Sequence, residues 1–173
     1  MNLYAEILKE HSKNQTMKTV RYVGTNKKRF SELMKLFFGN EYRVTQRSAW
    51  AVSYCVLKHH ELIKPYLKKM ILNLKQPNLH DAVKRNTVKI LQDINIPKNL
   101  IGLSAEACFN LLSSKTEPLA VKCYSISVLA KICKQEPDLK NELTLLIEKQ
   151  LPYSTAGFRA RARKVFKELE KLC

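Results

Sequence analysis

Residues 43–57, RVTQRSAWAVSYCVL, carry an apolar pattern that returns three times along the chain at a constant 38-residue spacing. Two columns of this pattern are Val44, Ala82, Ala120 and Phe158, and Val52, Ile90, Val128 and Phe166. Two upstream columns keep the same step: Leu33, Ile71, Phe109 and Ile147, and Leu36, Leu74 and Leu112, where Gln150 breaks the row. Roughly one or two such columns arise by chance at this apolar content, so the inference rests on the joint spacing of all four.

Each repeat reads as two helices joined by a short turn, because apolar residues recur at helical spacing between turn residues such as Gly39-Asn40 and Gln76-Pro77-Asn78. A hairpin of this kind buries both its faces only by stacking on its neighbours. We therefore expect an all-α fold, a right-handed α–α superhelix (solenoid) of about four hairpins. A coiled coil is disfavoured because no heptad pattern persists through the turns, and a four-helix bundle does not need the repeat. The expected organisation is a single domain over residues 1–173, with an N-terminal capping pair in 1–25 and repeats in 27–60, 62–95, 99–135 and 138–172.

At the N-terminus, the pattern predicts a first helix that frays near Asn14 and a second from Met17 to Val23, ended by Gly24. In the second hairpin it predicts a helix over residues 62–74.

The chain is strongly basic, with 31 Lys and Arg against 15 Asp and Glu and a net charge of +16. Such a surface attracts polyanions, which makes nucleic acid, an acidic protein face and anionic lipid the partners to weigh. The alternative is a basic protein whose charge serves solubility alone. The polar start, MNLYAEILKEHSK, leads us to expect no signal peptide, and no apolar run is long enough to span a membrane. Five cysteines without a CxxC pair read as free or buried thiols, so we expect a cytoplasmic protein with no membrane partner.

In the helix predicted to start near residue 41, a stripe of arginines and large aromatic side chains lies beside the face that we expect to be buried. It consists of Arg43, Arg47, Trp50 and Tyr54, at i, i+4, i+7 and i+11. Guanidinium groups beside aromatic rings suit the binding of phosphates and the stacking of bases. The alternative is that the rings pack against a neighbouring hairpin while the arginines cap carbonyls or pair with carboxylates.

Each later hairpin has an equivalent stripe of residues. The second holds Asp81, Arg85 and Gln92 flanked by Lys84 and Lys89, the third Lys122, Cys123, Ser127 and Lys134, and the fourth Arg159, Arg163 and Lys167. If the superhelix brings these stripes together, they line a basic concave groove that neutralises a phosphate backbone. The expected nucleic-acid-binding residues are Arg43, Arg47, Trp50, Tyr54, Arg85, Lys89, Lys122, Arg159 and Arg163.

The length of the repeat, with a positive charge inside the second helix of each hairpin, resembles that of HEAT or armadillo-like repeats. Among these, small basic chains are similar to the DNA alkylation repair glycosylases, and the resemblance covers residues 27–173. It implies an Asn-Trp-Asp-Leu-Val-Asp-like catalytic run, whose nearest counterpart here is residues 78–83, NLHDAV. This run keeps Asn78 and Asp81, with Leu79 in place of the tryptophan. Asp81 is therefore the one weak catalytic candidate, and its alternative role is a first-turn acid that pairs with Arg85.

Metal and cofactor chemistry find little support in the sequence. Cys55 and His59 stand at i, i+4 with His60 following, but they lack a second ligand cluster for zinc. No glycine-rich phosphate loop is present. We expect no metal and no cofactor. The leading hypothesis is a non-catalytic binding module for the nucleic acid backbone. The alternatives are a protein interaction scaffold for an acidic partner and a glycosylase for alkylated bases.

Overall fold

The computed structural model describes residues 1–172, and all regular structure in this range is helical. The α-helices are α1 (Leu3–Lys9), α2 (Lys13–Val23), α3 (Lys27–Phe37), α4 (Tyr42–Lys58), α5 (Leu67–Asn73), α6 (Asp81–Asp93), α7 (Lys98–Ser113), α8 (Leu119–Cys133), α9 (Lys140–Gln150) and α10 (Ala156–Leu169). Short 3-10 helices span His60–Tyr66, Pro137–Leu139 and Leu151–Tyr153. The prediction of an all-α fold is confirmed. The chain forms two compact units, unit 1 over residues 1–94 and unit 2 from residue 95 onward.

Unit 1 begins with two short helices whose boundary differs from the prediction. The Ser12 hydroxyl accepts a hydrogen bond from the amide of Gln15 (3.1 Å) and so provides the N-cap of α2. Because the N-cap is Ser12, α2 starts at Lys13 and not at the predicted Met17, and α1 already ends at Lys9. Both α1 and α2 pack against α4, which also packs against α3 and α6.

The first helix of the second hairpin is split, although the sequence pattern predicts one helix over 62–74. Residues His60–Tyr66 form a 3-10 helix that contains Pro65, and α5 begins only at Leu67. Proline lacks the amide hydrogen and clashes with the preceding turn of an α-helix, which explains the break.

Unit 2 contains two hairpins, α7 with α8 and α9 with α10. Helix α8 is its centre, because it packs against α7, α9 and α10. Pro118 immediately precedes α8, and Pro152 lies in the 3-10 helix before α10.

The repeated apolar columns form the core of both units. Val52, Ile90 and Val128 are all at most 2% exposed. The apolar columns are less buried at Leu36, Phe109 and Phe166, which are half-buried, and at Ala120, which is exposed. Burial therefore follows the spacing of the repeat, as a stack of hairpins requires.

The described cysteines are free thiols, as expected. Cys55, Cys108 and Cys133 are buried and Cys123 is half-buried. Burial raises the pKa of Cys55 and of Cys108 to about 12. The remaining cysteine, Cys173, lies outside the described residues. None of the described helices combines the length and the apolar character needed to cross a membrane.

Candidate anion-binding surfaces

Arg47 lies half-buried in α4, and its side chain reaches the end of α1. Its Nη1 donates to the carbonyls of Ile7 (3.0 Å) and Leu8 (2.9 Å). These carbonyls belong to the last turn of α1, where no partner exists within the helix, and a cation there also interacts favourably with the helix dipole. Arg47 is therefore a C-terminal cap of α1, which was the alternative to phosphate binding. This contact differs from the role expected for Arg47 as a phosphate-binding residue.

Trp50 and Tyr54 are half-buried neighbours on α4, with ring centroids 6.1 Å apart. The Trp50 ring meets His11 edge to face at 5.8 Å. The ammonium of Lys89, on α6, lies 5.5 Å from the centroid of the Tyr54 ring, in cation–π geometry. The structure thus brings together three of the predicted residues. Their contacts are those of the packing alternative, and stacking on bases stays a prediction.

Arg43 and Arg85 are the exposed arginines of the predicted set in unit 1. Within residues 1–172, neither has a carboxylate at ion-pairing distance. Asp81 does not pair with Arg85, because its partner is Lys84, with the Nζ and Oδ1 atoms 3.7 Å apart. The Asp81 side chain is 63% exposed. It is thus a solvated acid in the first turn of α6, where the helix dipole favours a negative charge.

Next to Asp81, His80 has a structural role that the sequence analysis did not identify. Its Nδ1 accepts a hydrogen bond from the amide of Ala82 (2.9 Å), which caps the N-terminus of α6. Its Nε2 is buried without a hydrogen-bond partner among the described residues. Desolvation, partly opposed by Asp81, lowers the pKa of His80. Because histidine is not a favoured N-cap residue, the sequence does not indicate this capping role.

In unit 2, Lys122 is half-buried near the start of α8. Its ammonium donates to the side-chain oxygen of Gln150 (3.2 Å). Gln150 in turn donates to the carbonyl of Leu112 (2.9 Å), in the last turn of α7. The residue that breaks the fourth apolar column therefore links three helices and holds a lysine in place.

The arginines of α10 divide between two sides of the helix. Arg161 is half-buried, and its Nη1 donates to the Ser127 hydroxyl on α8 (3.0 Å). Arg159 and Arg163 are exposed and lie about 160° around the helix from Arg161, since each residue turns the helix by about 100°. By the spacing of the repeat, Arg161 is the counterpart of Arg47. The prediction that Arg159 and Arg163 continue the stripe of Arg47 is therefore wrong.

Arg159, Arg163 and Lys167 occupy instead the face of α10 that earlier repeats bury, and we call these three residues the α10 basic row. Their counterparts are Val121, Ser125 and Leu129 in α8, Val83, Thr87 and Leu91 in α6, and Thr45, Ala49 and Ser53 in α4. None of these nine counterparts is more than 6% exposed. The three cations are exposed and have no carboxylate partner among residues 1–172. An apolar surface that covered this face would bury unpaired charges, whereas an anionic surface would neutralise them.

A metal centre is not formed by the described part of the chain, because no group of three or more His, Cys, Asp or Glu side chains comes together there. The α10 basic row, the exposed Arg43 and Arg85, and Lys122 held by Gln150 are features that can recognise a ligand. Because they are cations, they favour anions.

Comparison with known families gives one match. The family model of the HEAT repeat domain matches residues 4–169. Neither curated proteins nor solved structures yielded a match. Repeats of this kind present extended surfaces and serve as binding or scaffold modules. The match agrees with the helical repeat and with the buried columns, which confirms the prediction of a HEAT-like α-solenoid. The chain belongs to the HEAT repeat domain family.

Proposed function

We propose that this protein is a non-catalytic binding module that binds the phosphate backbone of a nucleic acid. The observation that carries the proposal is the α10 basic row, in which three exposed, unpaired cations stand where every earlier repeat has a buried residue. The net charge of +16 provides long-range attraction for a polyanion.

The geometry of the row suits a backbone more than a small anion. Arg159, Arg163 and Lys167 follow one another at four-residue steps, so the row extends about 12 Å along the helix axis. Duplex DNA carries one negative charge per about 1.7 Å, so several phosphates lie within reach of such a row. Guanidinium groups also match phosphate geometry in a bidentate manner.

Unit 1 contributes a second, separate set of contacts in this proposal. Arg43 and Arg85 are exposed and unpaired within the described residues. Arg47 is excluded from the set because its Nη1 caps α1. The ammonium of Lys89 lies over the Tyr54 ring, so this ring face is already shared with a cation.

The test is the salt dependence of binding by three charge-reversed variants. Arg159→Glu with Arg163→Glu changes the row, and Arg43→Glu with Arg85→Glu changes unit 1. Lys27→Glu with Lys28→Glu is the matched control on an exposed helix start. Each pair lowers the net charge from +16 to +12, because each substitution removes two charges. Affinity for a labelled duplex and for its single strand is measured by fluorescence anisotropy over a salt series.

We expect the wild type to bind at low salt and to lose affinity steeply as salt rises. In the row variant, the slope of log affinity against log salt falls by about 2 for duplex DNA, since each phosphate contact contributes about 0.9. The control keeps the wild-type slope. The proposal fails if no binding occurs at low salt, or if all three variants lose affinity equally.

Base excision, the activity implied by the resemblance to the alkylation repair glycosylases, is not favoured by any observation on the described residues. Asp81 is a solvated acid paired with Lys84, and Leu79 stands where that group has a tryptophan.

A further inference from the structure

Unit 2 contains a groove between the turn that joins α7 to α8 and the turn that joins α9 to α10. Its volume is about 490 Å³, within the range of ligand pockets, which is about 300–1,000 Å³. Leu119 and Leu146 supply apolar surface, whereas Phe158 also lines the groove but is only 1% exposed. Lys115, Lys122 and Lys149 also line the groove. It therefore combines an apolar surface with three cations.

One of these cations is positioned by its neighbours. The ammonium of Lys122 donates to Gln150, which is itself anchored on the carbonyl of Leu112. A leucine at position 150, as the repeat pattern predicts, could make neither hydrogen bond. The single polar residue in that column thus fixes a half-buried lysine in the wall of the groove.

A matching groove in unit 1 shows which part of this arrangement follows from the repeat alone. It has a volume of about 420 Å³ and lies between the equivalent turns, two repeats upstream. Gly39 and Asn73 line it at the positions of Lys115 and Lys149. Its lining, all within the described residues, includes no lysine or arginine. Stacked hairpins therefore form such a groove without cations, and the lysines are particular to unit 2.

We propose that the lysine-lined groove of unit 2 docks an acidic peptide segment of a partner protein that carries an apolar anchor side chain. The apolar anchor side chain of the peptide packs on the apolar surface of the groove, and the lysines form ion pairs with the carboxylates that flank the anchor. Glu117 also lines the groove, half-buried, and leaves three lysine charges against one carboxylate. Tyr153, 93% exposed at the edge, offers a further ring to the peptide. A nucleic acid backbone has no apolar side chain to place on Leu119 and Leu146, which distinguishes this site from the α10 basic row.

The probe is a fluorescein-labelled peptide in which a Leu-Phe pair is flanked by acidic residues on both sides. One comparison peptide replaces the pair with two serines, and another replaces the acids with their amides. The full chain, the groove variant Lys115→Glu with Lys149→Glu, and the control Lys27→Glu with Lys28→Glu are titrated at physiological salt. Circular dichroism checks that each variant keeps its helical content. The same proteins are titrated with the labelled duplex.

We expect saturable binding of the Leu-Phe peptide and at least about tenfold weaker binding by the groove variant. The control stays within about twofold, because neither Lys27 nor Lys28 lines the groove. Both comparison peptides bind at least about tenfold more weakly than the probe. The groove variant keeps the salt slope for duplex DNA, so a failure of this proposal and a failure of the nucleic acid proposal give different results.

Four results would overturn the docking site. The first is the absence of saturable peptide binding. The second is equal affinity for the serine peptide, because charge alone would then explain the interaction. The third is equal loss in the control variant. The fourth is displacement of the peptide by the duplex.

Discussion

Replacing Arg47 with methionine separates the capping role of this side chain from phosphate binding. Methionine keeps an aliphatic stem in the half-buried site but has no donor for the carbonyls of Ile7 and Leu8, which now lie 3.0 and 2.9 Å from Nη1. A hydrogen bond from a charged donor contributes about 1.5–3 kcal/mol. Both bonds come from one nitrogen, and water can replace it at the end of α1. We therefore expect a loss of about 2 kcal/mol in the free energy of unfolding.

The measurement is urea denaturation followed by circular dichroism, with hydrogen exchange on the amides of α1. A loss of this size lowers the Tm by about 4–8 °C in a chain of this length. The α1 amides should lose protection before those of α3. The matched control is Arg85→Met, the same substitution one repeat downstream, where the side chain is exposed and unpaired within the described residues. It should change stability by less than about 0.5 kcal/mol.

The capping argument would be refuted if Arg47→Met kept wild-type stability while nucleic acid binding weakened. That outcome would restore Arg47 to the set of phosphate contacts and would mean that its contact with α1 is incidental.

Two further predictions concern titratable groups. The pKa of His80 is lowered from its usual 6.5. The stability due to its neutral form is therefore complete above pH 6.5 and is lost as the pH falls through that value toward the lower pKa of the folded state. His80→Asn keeps an N-cap acceptor, so its Tm should decline less over this range, and parallel Tm profiles would contradict the role. The thiols of Cys55 and Cys108, with pKa values raised to about 12, should resist iodoacetamide in the native protein and react in urea. Half-buried Cys123 should react before the other described cysteines. Peptide mapping by mass spectrometry follows each site, and native labelling of Cys55 as fast as of Cys123 would contradict its burial.

The helical repeat was predictable from the sequence because it depends on local and periodic features of the residues. Apolar side chains at helical spacing define each helix, and the recurrence of the same columns from one repeat to the next requires the hairpins to stack. The misplaced boundaries arose where a single residue acts on the backbone. Ser12 caps α2 early, and Pro65 replaces the first part of an α-helix with a 3-10 helix.

The roles of the cations were not predictable in the same way. Arg47 and Arg85 hold the same repeat position, yet Arg47 caps α1 and Arg85 is exposed. The partner of Arg47 is a pair of backbone carbonyls in a helix far upstream. Because every residue has a backbone carbonyl, a sequence pattern does not indicate which of them accepts a hydrogen bond from a side chain. The stripe assigned to α10 is a different case, because the 38-residue spacing already places Arg161, and not Arg159 or Arg163, at the position of Arg47. The hydrogen bond from Arg161 to Ser127 on α8 agrees with that spacing.

The sequence by itself determined that this protein is a basic stack of helical hairpins, since period, polarity and charge are properties of residues in order. The tertiary structure alone decided which charges are engaged and which are exposed. That depends on what packs beside each side chain, and packing partners come from distant parts of the chain. The same reason explains why the role of Gln150 was missed. In the sequence it only interrupts an apolar column, whereas in the folded chain it holds Lys122 in the groove.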